Sequence, residues 1–349
     1  MKIGVSGRPD GESREDAPSA RSDPGSGVLY TQLCDVLGIE SPIIQAGMGM
    51  GSSAELAVAV SEAGGLGSLG CFRRPPEDVA RQLALIRERT TRPFAVNHLV
   101  TELDETAFAM TLAAEPPVIS FALGDPGDWV RRAHDAGALV VHQVTTALQA
   151  RQAVERGVDV IIAQGGEAGG YVGVIATLVL VPQVVDAVHP VPVVAAGGIA
   201  DGRGLAAALM LGAVGVNVGT RFLASVEAQI SPVWKQMIVE AAAEDAVLVE
   251  VLNDIMPSPG SFGYGTVLRS LRSPFIDTWQ GRRDEARRDL ERLRGEVLPV
   301  FEQMRVHELF PTAGQSAGLV DDILPAGEIV RRIVTEARAA LERSSQSFA

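Results

Sequence analysis

The residues best suited to chemistry lie between Ala163 and Gly173, in the segment A-Q-G-G-E-A-G-G-Y-V-G. It follows the apolar run 158–162 and holds five glycines in eleven residues. Glycine tolerates positive φ and lets backbone approach a flat or bulky ligand closely. Gln164, Glu167 and Tyr171 add side chains that can orient a ligand or exchange a proton with it. We interpret the segment as a ligand-binding loop; the alternative is a glycine-rich turn without a ligand.

Two further glycine clusters have the composition of a phosphate site. One is A-A-G-G-I-A-D-G-R-G from Ala195 to Gly204, and the other is N-V-G-T-R-F-L from Asn217 to Leu223. Glycine lets backbone N–H groups converge on an anion, and a following helix adds its positive dipole. The hydroxyl of Thr220 supplies another donor. We therefore predict that the two clusters hold one phosphate, against the alternative of tight structural turns.

Amide and imidazole side chains end three other apolar runs. Gln45 ends the first, Asn97 and His98 the third, and His142 and Gln143 the fifth. An amide offers a donor and an acceptor, as the edge of a heterocycle requires. For each histidine the alternative is a hydrogen-bonded, partly buried ring without a chemical role.

Eight short apolar runs alternate with helical segments from about residue 29 onward, and almost continuous apolarity is typical of buried parallel strands. The runs are Pro42–Ala46, Leu66–Leu69, Pro93–Asn97, Val118–Ala122, Ala138–Val141, Val158–Ala163, Val191–Ala196 and Val214–Val218. Eight strand–helix repeats predict an α/β fold of the TIM (β/α)8 barrel type, with an open doubly wound sheet as the rival. In a barrel, ligands bind at the carboxyl ends of the strands, where the polar residues above would meet.

The alternation of apolar runs and helical segments ends after the eighth run, which predicts an inserted, mostly helical subdomain. We expect an alanine-rich helix over 232–248, a Pro/Gly-rich loop over 256–265 and a charged, solvated helical segment over 282–302. A final amphipathic helix, 323–341, should pack on the barrel wall. The predicted division is a disordered tail (1–28), a barrel (29–224 and 316–345) and a helical lid or insertion (225–315).

Composition excludes several classes of protein. The 349 residues are 46% hydrophobic and 21% charged, as in a globular enzyme, and the net charge of −13 disfavours nucleic acid and anionic membranes as partners. Cys34 and Cys71 form no CxxC pair and no metal-type spacing with histidine. We therefore expect a reduced, cytoplasmic protein with a small-molecule substrate, no metal site and no membrane span, and we leave a homodimer open.

Together, these motifs resemble the nitronate monooxygenase family, also called 2-nitropropane dioxygenase-like, of FMN-dependent TIM-barrel enzymes. The resemblance spans roughly 29–334 and includes P-I-I-Q-A-G-M, Q-G-x-E-A-G-G, V-G-T-R-F-L and A-G-Q-S-A-G-L-V-D-D-I. It implies FMN with its phosphate between Gly198 and the turn 217–220, and with Asn97, Gln164 and Gly169 against the isoalloxazine or ribityl part. The full set of predicted cofactor residues is Gln45, Gly47, Met48, Asn97, Gln164, Gly169, Gly170, Gly197, Gly198, Asn217, Val218, Gly219 and Thr220.

One departure from the family pattern concerns Tyr171, because the family typically has a catalytic histidine at this position. An unperturbed tyrosine is ionised to about one part in a thousand at pH 7, so it is a poor general base but a competent acid or hydrogen-bond donor. Tyr171 is the predicted catalytic residue, with His142, or else His98, as the base if one is required.

Three functions follow from this reading. The first is oxidation of alkyl nitronates by O₂, which we favour on the resemblance. The second is NAD(P)H-dependent reduction, or dehydrogenation, at an activated C=C bond, with Tyr171 transferring the proton. The third is flavin binding with little catalysis. FMN is common to all three.

Overall fold

The computed structural model describes residues 29–256, 266–303 and 305–347. The predicted disordered tail, 1–28, and nearly all of the predicted Pro/Gly-rich loop, 257–265, lie outside the described residues.

Eight parallel strands form the barrel predicted from the sequence. They are β1 (Ile43–Gln45), β2 (Gly67–Gly70), β3 (Phe94–Leu99), β4 (Val118–Ala122), β5 (Leu139–Val144), β6 (Val160–Gln164), β8 (Val193–Ala196) and β9 (Gly215–Val218). Their order around the sheet is β1-β9-β8-β6-β5-β4-β3-β2. A bridge between Ile44 and Leu66, just ahead of β2, closes the barrel, with Gln45 N donating to Leu66 O at 2.9 Å. The fold is therefore a TIM barrel.

The helices that surround the barrel follow its strands in order. They are α2 (Ala54–Glu62), α3 (Pro76–Arg89), α4 (Glu105–Ala113), α5 (Asp128–Asp135), α6 (Ala147–Glu155), α7 (Thr177–Val188), α8 (Gly202–Met210) and the short α9 (Thr220–Leu223). Side-chain oxygens of Ser53, Asp104, Thr146 and Asp201 accept N–H groups at four of their N-termini. Pro182 lies inside α7.

The amino-terminal end of the barrel is closed by α1 (Gln32–Leu37). Leu33, Cys34 and Leu37 are buried against inward-facing residues of the strands, including Val160 and Val194. The Thr31 hydroxyl fixes the start of α1 by donating to Val214 O at 2.5 Å. This apolar plug fills the lower half of the barrel, so a ligand can enter only from the carboxyl ends of the strands.

The inserted subdomain covers that open end, and it contains strands as well as helices. Its antiparallel sheet has the order β10-β11-β7, from β7 (Gly170–Val172), β10 (Ala246–Leu248) and β11 (Val267–Leu271). Its helices are α10 (Pro232–Glu240), α11 (Glu250–Ile255), α12 (Pro274–Trp279), α13 (Arg283–Arg288) and α14 (Leu290–Glu302). Two predictions are corrected: the helix over 232–248 ends at Glu240, and the glycine-rich loop contributes a strand that pairs with β11.

The charged segment of the subdomain behaves as its sequence predicts. In α13 and α14 the apolar side chains of Ala286, Leu293 and Val297 are buried in the subdomain core. The arginines and acids of the same helices form exposed pairs such as Arg292–Asp289. These charges solvate the outer face of the subdomain.

The C-terminal helix α15 (Ala326–Ser347) packs on the barrel wall, as expected, where it contacts α8 and α2. Arg332 and Glu336 on its surface are ion-paired at 3.0 Å. Within the described ranges, no helix combines the length and apolarity that crossing a membrane requires.

Gly202 provides a test of this contact between α8 and α15. A Cβ at Gly202 would lie 2.2 Å from Ala337 N, so Gly202→Ala should lower the free energy of unfolding by about 1–3 kcal/mol through overpacking. Gly295, exposed inside α14 with open space around its Cβ position, is the matched control, and Gly295→Ala should stabilise by about 0.5–1 kcal/mol. Urea-unfolding midpoints check both; a neutral Gly202→Ala would mean that the two helices are less tightly packed.

Candidate active site

A belt of polar side chains lines the barrel above its apolar floor. Successive residues of a strand point to opposite sides, so alternate positions of each strand face the interior. The inward-facing polar residues that line the cavity are Ser68, Asn97, Ser120, Gln143, Gln164 and Asn217. The belt brings together the predicted amides of β3, β6 and β9, and Gln143, singled out but not assigned to the cofactor, joins them. Gln45 of β1 is the strand partner of Val218 and alternates with the inward-facing Ile44, so its side chain is not part of the belt.

The same alternation turns both strand-end histidines away from the cavity. His98 is buried on the helix side, where its Nε2 lies 3.0 Å from Thr111 Oγ1, and burial lowers its pKa to about 4. His142 is 1% exposed, and burial likewise lowers its pKa to about 4. Neither ring lines the cavity. The assignment of His142 as catalytic is therefore corrected by the geometry, because a base must reach the substrate. Val218 also faces outward, so only its backbone is available to a ligand.

The two glycine clusters meet at one edge of the cavity. Gly197 and Gly198 have φ values of 101° and 72°, a conformation that favours glycine. They line the cavity together with Asn217, Gly219 and Thr220. Thr220 Oγ1 accepts a hydrogen bond from Gly314 N at 2.8 Å, which joins the C-terminal A-G-Q-S-A-G motif to the same edge.

Two buried polar atoms of the belt have no hydrogen-bond partner among the described residues. They are Gln164 Oε1 and Asn217 Oδ1, on side chains 6% and 7% exposed. Leaving a buried acceptor unpaired costs about 1–3 kcal/mol, so unpaired acceptors in a cavity indicate a ligand with donors. A flavin offers N–H and ribityl hydroxyl donors, and its phosphate fits the neighbouring glycine edge. The residues present therefore fit the cofactor that the sequence resemblance implies.

The first strand and its following turn form the opposite edge. Gln45 is fully buried, and its Oε1 accepts from Ser68 N at 2.7 Å. A Cβ at Gly47 would lie 2.5 Å from the Asn97 side chain, so only glycine allows this approach of the two strands. Met48 follows with φ 45° and lines the cavity. Asn97 is oriented by donating from Nδ2 to Ser120 Oγ at 3.2 Å.

The glycine-rich segment is fixed by contacts at both ends. The Glu167 carboxylate accepts from Thr177 N at 2.9 Å and from the Thr177 hydroxyl at 2.9 Å, which caps α7. Arg269 donates from Nε to Gly166 O at 2.9 Å and ties the segment to β11. A Cβ at Gly169 would lie 2.6 Å from the 313–314 backbone. Glu167 is thus a structural residue, while Gly169 and Gly170 line the cavity.

Tyr171 lies on β7, opposite Leu268 of β11, and it lines the cavity. Its hydroxyl has no protein partner among the described residues. Burial raises the pKa of Tyr171 to about 12; the negative charge of Glu102 acts in the same direction, and the positive charge of Arg73 opposes it. The phenol is therefore protonated at every physiological pH, which makes Tyr171 a donor and not a base.

The cavity has a volume of about 400 Å³, within the range of small-molecule sites. Its lower half is the polar belt of the barrel, and its upper half is apolar. We call this upper half the apolar chamber; it is lined by Phe72, Leu223, Trp234, Leu252, Met256, Leu268, Phe301, Val306 and Phe310. Most of these residues come from the inserted subdomain. The cavity therefore has a polar lower part and a mostly apolar upper part.

The family to which the chain belongs follows from this architecture together with its sequence. The family model described as nitronate monooxygenase matches residues 30–115 and 104–336, which include the whole site. The chain belongs to the nitronate monooxygenase family. It is an enzyme of the oxidoreductase class, and the family acts on small-molecule substrates.

Curated relatives in this family have different printed activities. A Mycobacterium tuberculosis protein named (3aS,4S,5R,7aS)-5-hydroxy-7a-methyl-1-oxo-octahydro-1H-indene-4-carboxyl-CoA dehydrogenase is 32% identical over 91% of this chain and 98% of its own length. A probable nitronate monooxygenase of Staphylococcus saprophyticus is 33% identical over 64% of this chain and 76% of its own.

Two solved structures are also similar to the chain. FabK of Thermotoga maritima is 36% identical, has a TM-score of 0.83, and is covered over 99% of its chain and 91% of this one. Nitroalkane oxidase of Streptomyces ansochromogenes is 29% identical, with a TM-score of 0.74 over 88% of this chain and 99% of its own.

Sequence reasoning missed the chamber residues and Arg73. Phe72, Trp234 and Phe301 come from three separate elements, and no local spacing connects them. Arg73 lies three residues after the end of β2, so a cation close to a strand end was the available signal for it.

Proposed function

We propose that this protein is an FMN-dependent oxidoreductase that reduces the α,β double bond of an acyl thioester, with Tyr171 as the proton donor. The observation that carries the proposal is a protonated phenol that faces the apolar chamber and has no hydrogen-bond partner in the described part of the chain. Reduction of an activated alkene needs a hydride at the β-carbon and a proton at the α-carbon. The chamber can accommodate a hydrocarbon acyl group, and Tyr171 can donate the proton.

The pKa of Tyr171 favours reduction over the reverse reaction. Dehydrogenation begins with removal of an α-proton, which needs a base. With a pKa of about 12, the phenolate fraction at pH 7 is about one in 10⁵, equivalent to about 7 kcal/mol. Donation from the neutral phenol carries no such cost, and the phenolate formed regains its proton from solvent.

The polar belt and the glycine edge would hold FMN. Gly197, Gly198, Gly219 and Thr220 suit the phosphate, while Asn97, Gln164 and Asn217 suit the ribityl chain and the ring edge. When bound, the flavin supplies the hydride, which it takes from NAD(P)H. The barrel and the subdomain would together hold the flavin and the acyl group in one cavity.

The relatives support this choice over nitronate oxidation. The dehydrogenase of a CoA thioester and FabK are each matched over 91% of this chain, a span that includes the subdomain that builds the chamber. The staphylococcal nitronate monooxygenase is matched over 64%. Because the nitroalkane oxidase structure also covers 88% of this chain, the CoA thioester in the name of the mycobacterial relative, and not coverage, has the greater weight.

The test is anaerobic reduction followed by substrate addition. FMN-loaded protein should be bleached by NADH or NADPH, and crotonyl-CoA or a longer enoyl-CoA should restore the oxidised spectrum with stoichiometric formation of the saturated thioester. Propyl nitronate with O₂ is the parallel arm. Bleaching by nitronate alone, with no response to NAD(P)H, would reject the reductase.

Nitronate oxidation is the second candidate, because the nitroalkane oxidase structure is matched over 88% of this chain. A nitronate is already an anion, so the reaction needs a donor to the nitro oxygens and not a base. If this candidate is correct, pre-formed propyl nitronate will be consumed much faster than neutral nitropropane at pH 7, since Tyr171 cannot remove the carbon-bound proton.

A further inference from the structure

Arg73 lies at the mouth of the cavity in a conformation that is unusual for its residue type. It follows β2 and has φ 54°, in the left-handed region that side chains other than glycine and asparagine seldom adopt. Such backbone strain persists where the surroundings enforce it, and it is concentrated at functional sites. The side chain is 42% exposed and also lines the cavity, so it stands between solvent and the chamber.

The contacts that fix the guanidinium of Arg73 occupy only one of its hydrogen-bond donors. Its Nε donates to Glu102 Oε2 at 3.1 Å. Its central carbon lies 4.6 Å from the ring centroid of Phe301 and 5.4 Å from that of Phe72. Within the described residues, Nη1 and Nη2 have no protein acceptor. Stacking and one ion pair therefore fix the plane of the group while four N–H bonds stay available.

Arg73 is also the only cationic side chain among the described residues that line the cavity. It is close enough to Tyr171 for its charge to act on the phenol. A fixed cation and a neutral phenol thus face the same space. Such a pair suits an oxygen atom that becomes negative during a reaction, since preorganised donors in a partly dry site stabilise developing charge.

We propose that Arg73 is a catalytic residue that binds the carbonyl oxygen of the substrate and stabilises it as an enolate. The inference rests on the proposed function. Hydride addition at the β-carbon moves the electron pair of the C=C bond toward the thioester carbonyl, whose oxygen becomes the enolate oxygen. Arg73 holds that oxygen through Nη1 or Nη2. Proton transfer from Tyr171 to the α-carbon then restores the carbonyl. Glu102 keeps the guanidinium oriented and does not touch the substrate.

This role restricts the substrate class. The reacting alkene must be conjugated to an oxygen-bearing group that can become an oxyanion, such as a thioester, and its hydrocarbon end lies in the apolar chamber. Unconjugated alkenes are excluded, because their reduction places no negative charge near Arg73.

The first test uses Arg73→Gln and Arg73→Lys, with Arg131→Gln as the control. Arg131 is 64% exposed on α5, and its ion pairs with Asp128 and Asp135 lie on the outer surface of the barrel. Arg73→Gln should lower kcat for an enoyl-CoA by about 10²–10³-fold, the usual loss for one oxyanion donor. Arg73→Lys should recover part of that loss, and Arg131→Gln should have no effect. Bleaching of the flavin by NAD(P)H should be unchanged in all three variants.

The second test does not depend on turnover. Acetoacetyl-CoA ionises to an enolate with a near-ultraviolet absorbance, and a fixed cation lowers the pKa of such a ligand by about one to three units. Wild-type protein should therefore stabilise the enolate near neutral pH, and Arg73→Gln should not. Equal ionisation in both would overturn the role of Arg73. Ionisation that depends on Arg73, without reduction of any enoyl-CoA, would keep this inference and reject the proposed reductase.

Discussion

Tyr171→Phe should lower kcat for reduction of an enoyl thioester by about 10²–10⁴-fold, the usual contribution of general acid catalysis. The substitution removes one hydroxyl and leaves the ring in place on β7, so FMN content and the thermal midpoint should stay unchanged. Tyr30→Phe is the matched control. Tyr30 is 49% exposed and donates to Asp35 at 2.9 Å, far from the cavity, so its loss should leave kcat as in wild type.

The pH dependence of the reduction rate provides a second test of the same prediction. An acid catalyst works while it is protonated, and its rate is lost as pH rises through its pKa. Because burial and the charge of Glu102 raise the pKa of Tyr171 to about 12, the wild-type rate should show no loss from this group between pH 6 and 10. Tyr171→His should be active only below about pH 6.5, the ordinary pKa of histidine. Stopped-flow oxidation of the reduced enzyme by crotonyl-CoA measures both. A Tyr171→Phe enzyme within twofold of wild type would mean that the proton comes from another group.

The barrel could be predicted from the sequence because the patterns that indicate its strands and helices are local. Each buried parallel strand is a short apolar run, and glycine ends several of the helices between them. All eight predicted runs coincide with strands of the barrel to within two or three residues. Helix α4 is harder to predict, because its sequence, E-T-A-F-A-M-T-L-A, lacks a clear apolar stripe.

The parts of the site that could not be predicted depend on side-chain direction and on distant pairing. His142 follows an apolar run, as Gln143 does, and a shift of one residue along a strand decides which of them faces the cavity. Strand β7 forms because Gly170–Val172 meets β11, about a hundred residues later. Glycine disfavours strands, so this tertiary contact overrides the local preference. The stacking of Arg73 on Phe301 joins a barrel loop to α14, and no local pattern encodes it.

The largest effect on cofactor binding is expected from Gly219→Leu. The backbone of Gly219 has φ −108°, and a Cβ there would lie 3.6 Å from Ala46 Cβ, an ordinary contact. Gly219→Ala should therefore keep the fold and bind FMN. The further atoms of leucine would extend into the cavity edge that Asn217 and Thr220 share, where we place the flavin phosphate. Gly198, with φ 72°, is a less suitable position for this test, because any side chain there also strains the backbone.

Overlap between the leucine side chain and the phosphate should cost about 2–3 kcal/mol, which is about a 100-fold increase in the Kd for FMN. The measurements are the flavin-to-protein absorbance ratio after desalting and a fluorescence titration of the flavin-free protein. Gly281→Leu is the control, since the space around Gly281 is open and lies on the outer face of the subdomain. Thermal midpoints of the flavin-free forms should agree, which separates loss of binding from loss of folding. If Gly219→Leu retains flavin as the wild type does while Gly219→Ala and Gly281→Leu behave as expected, the phosphate lies elsewhere, because the two glycine clusters would then line the cavity without holding an anion.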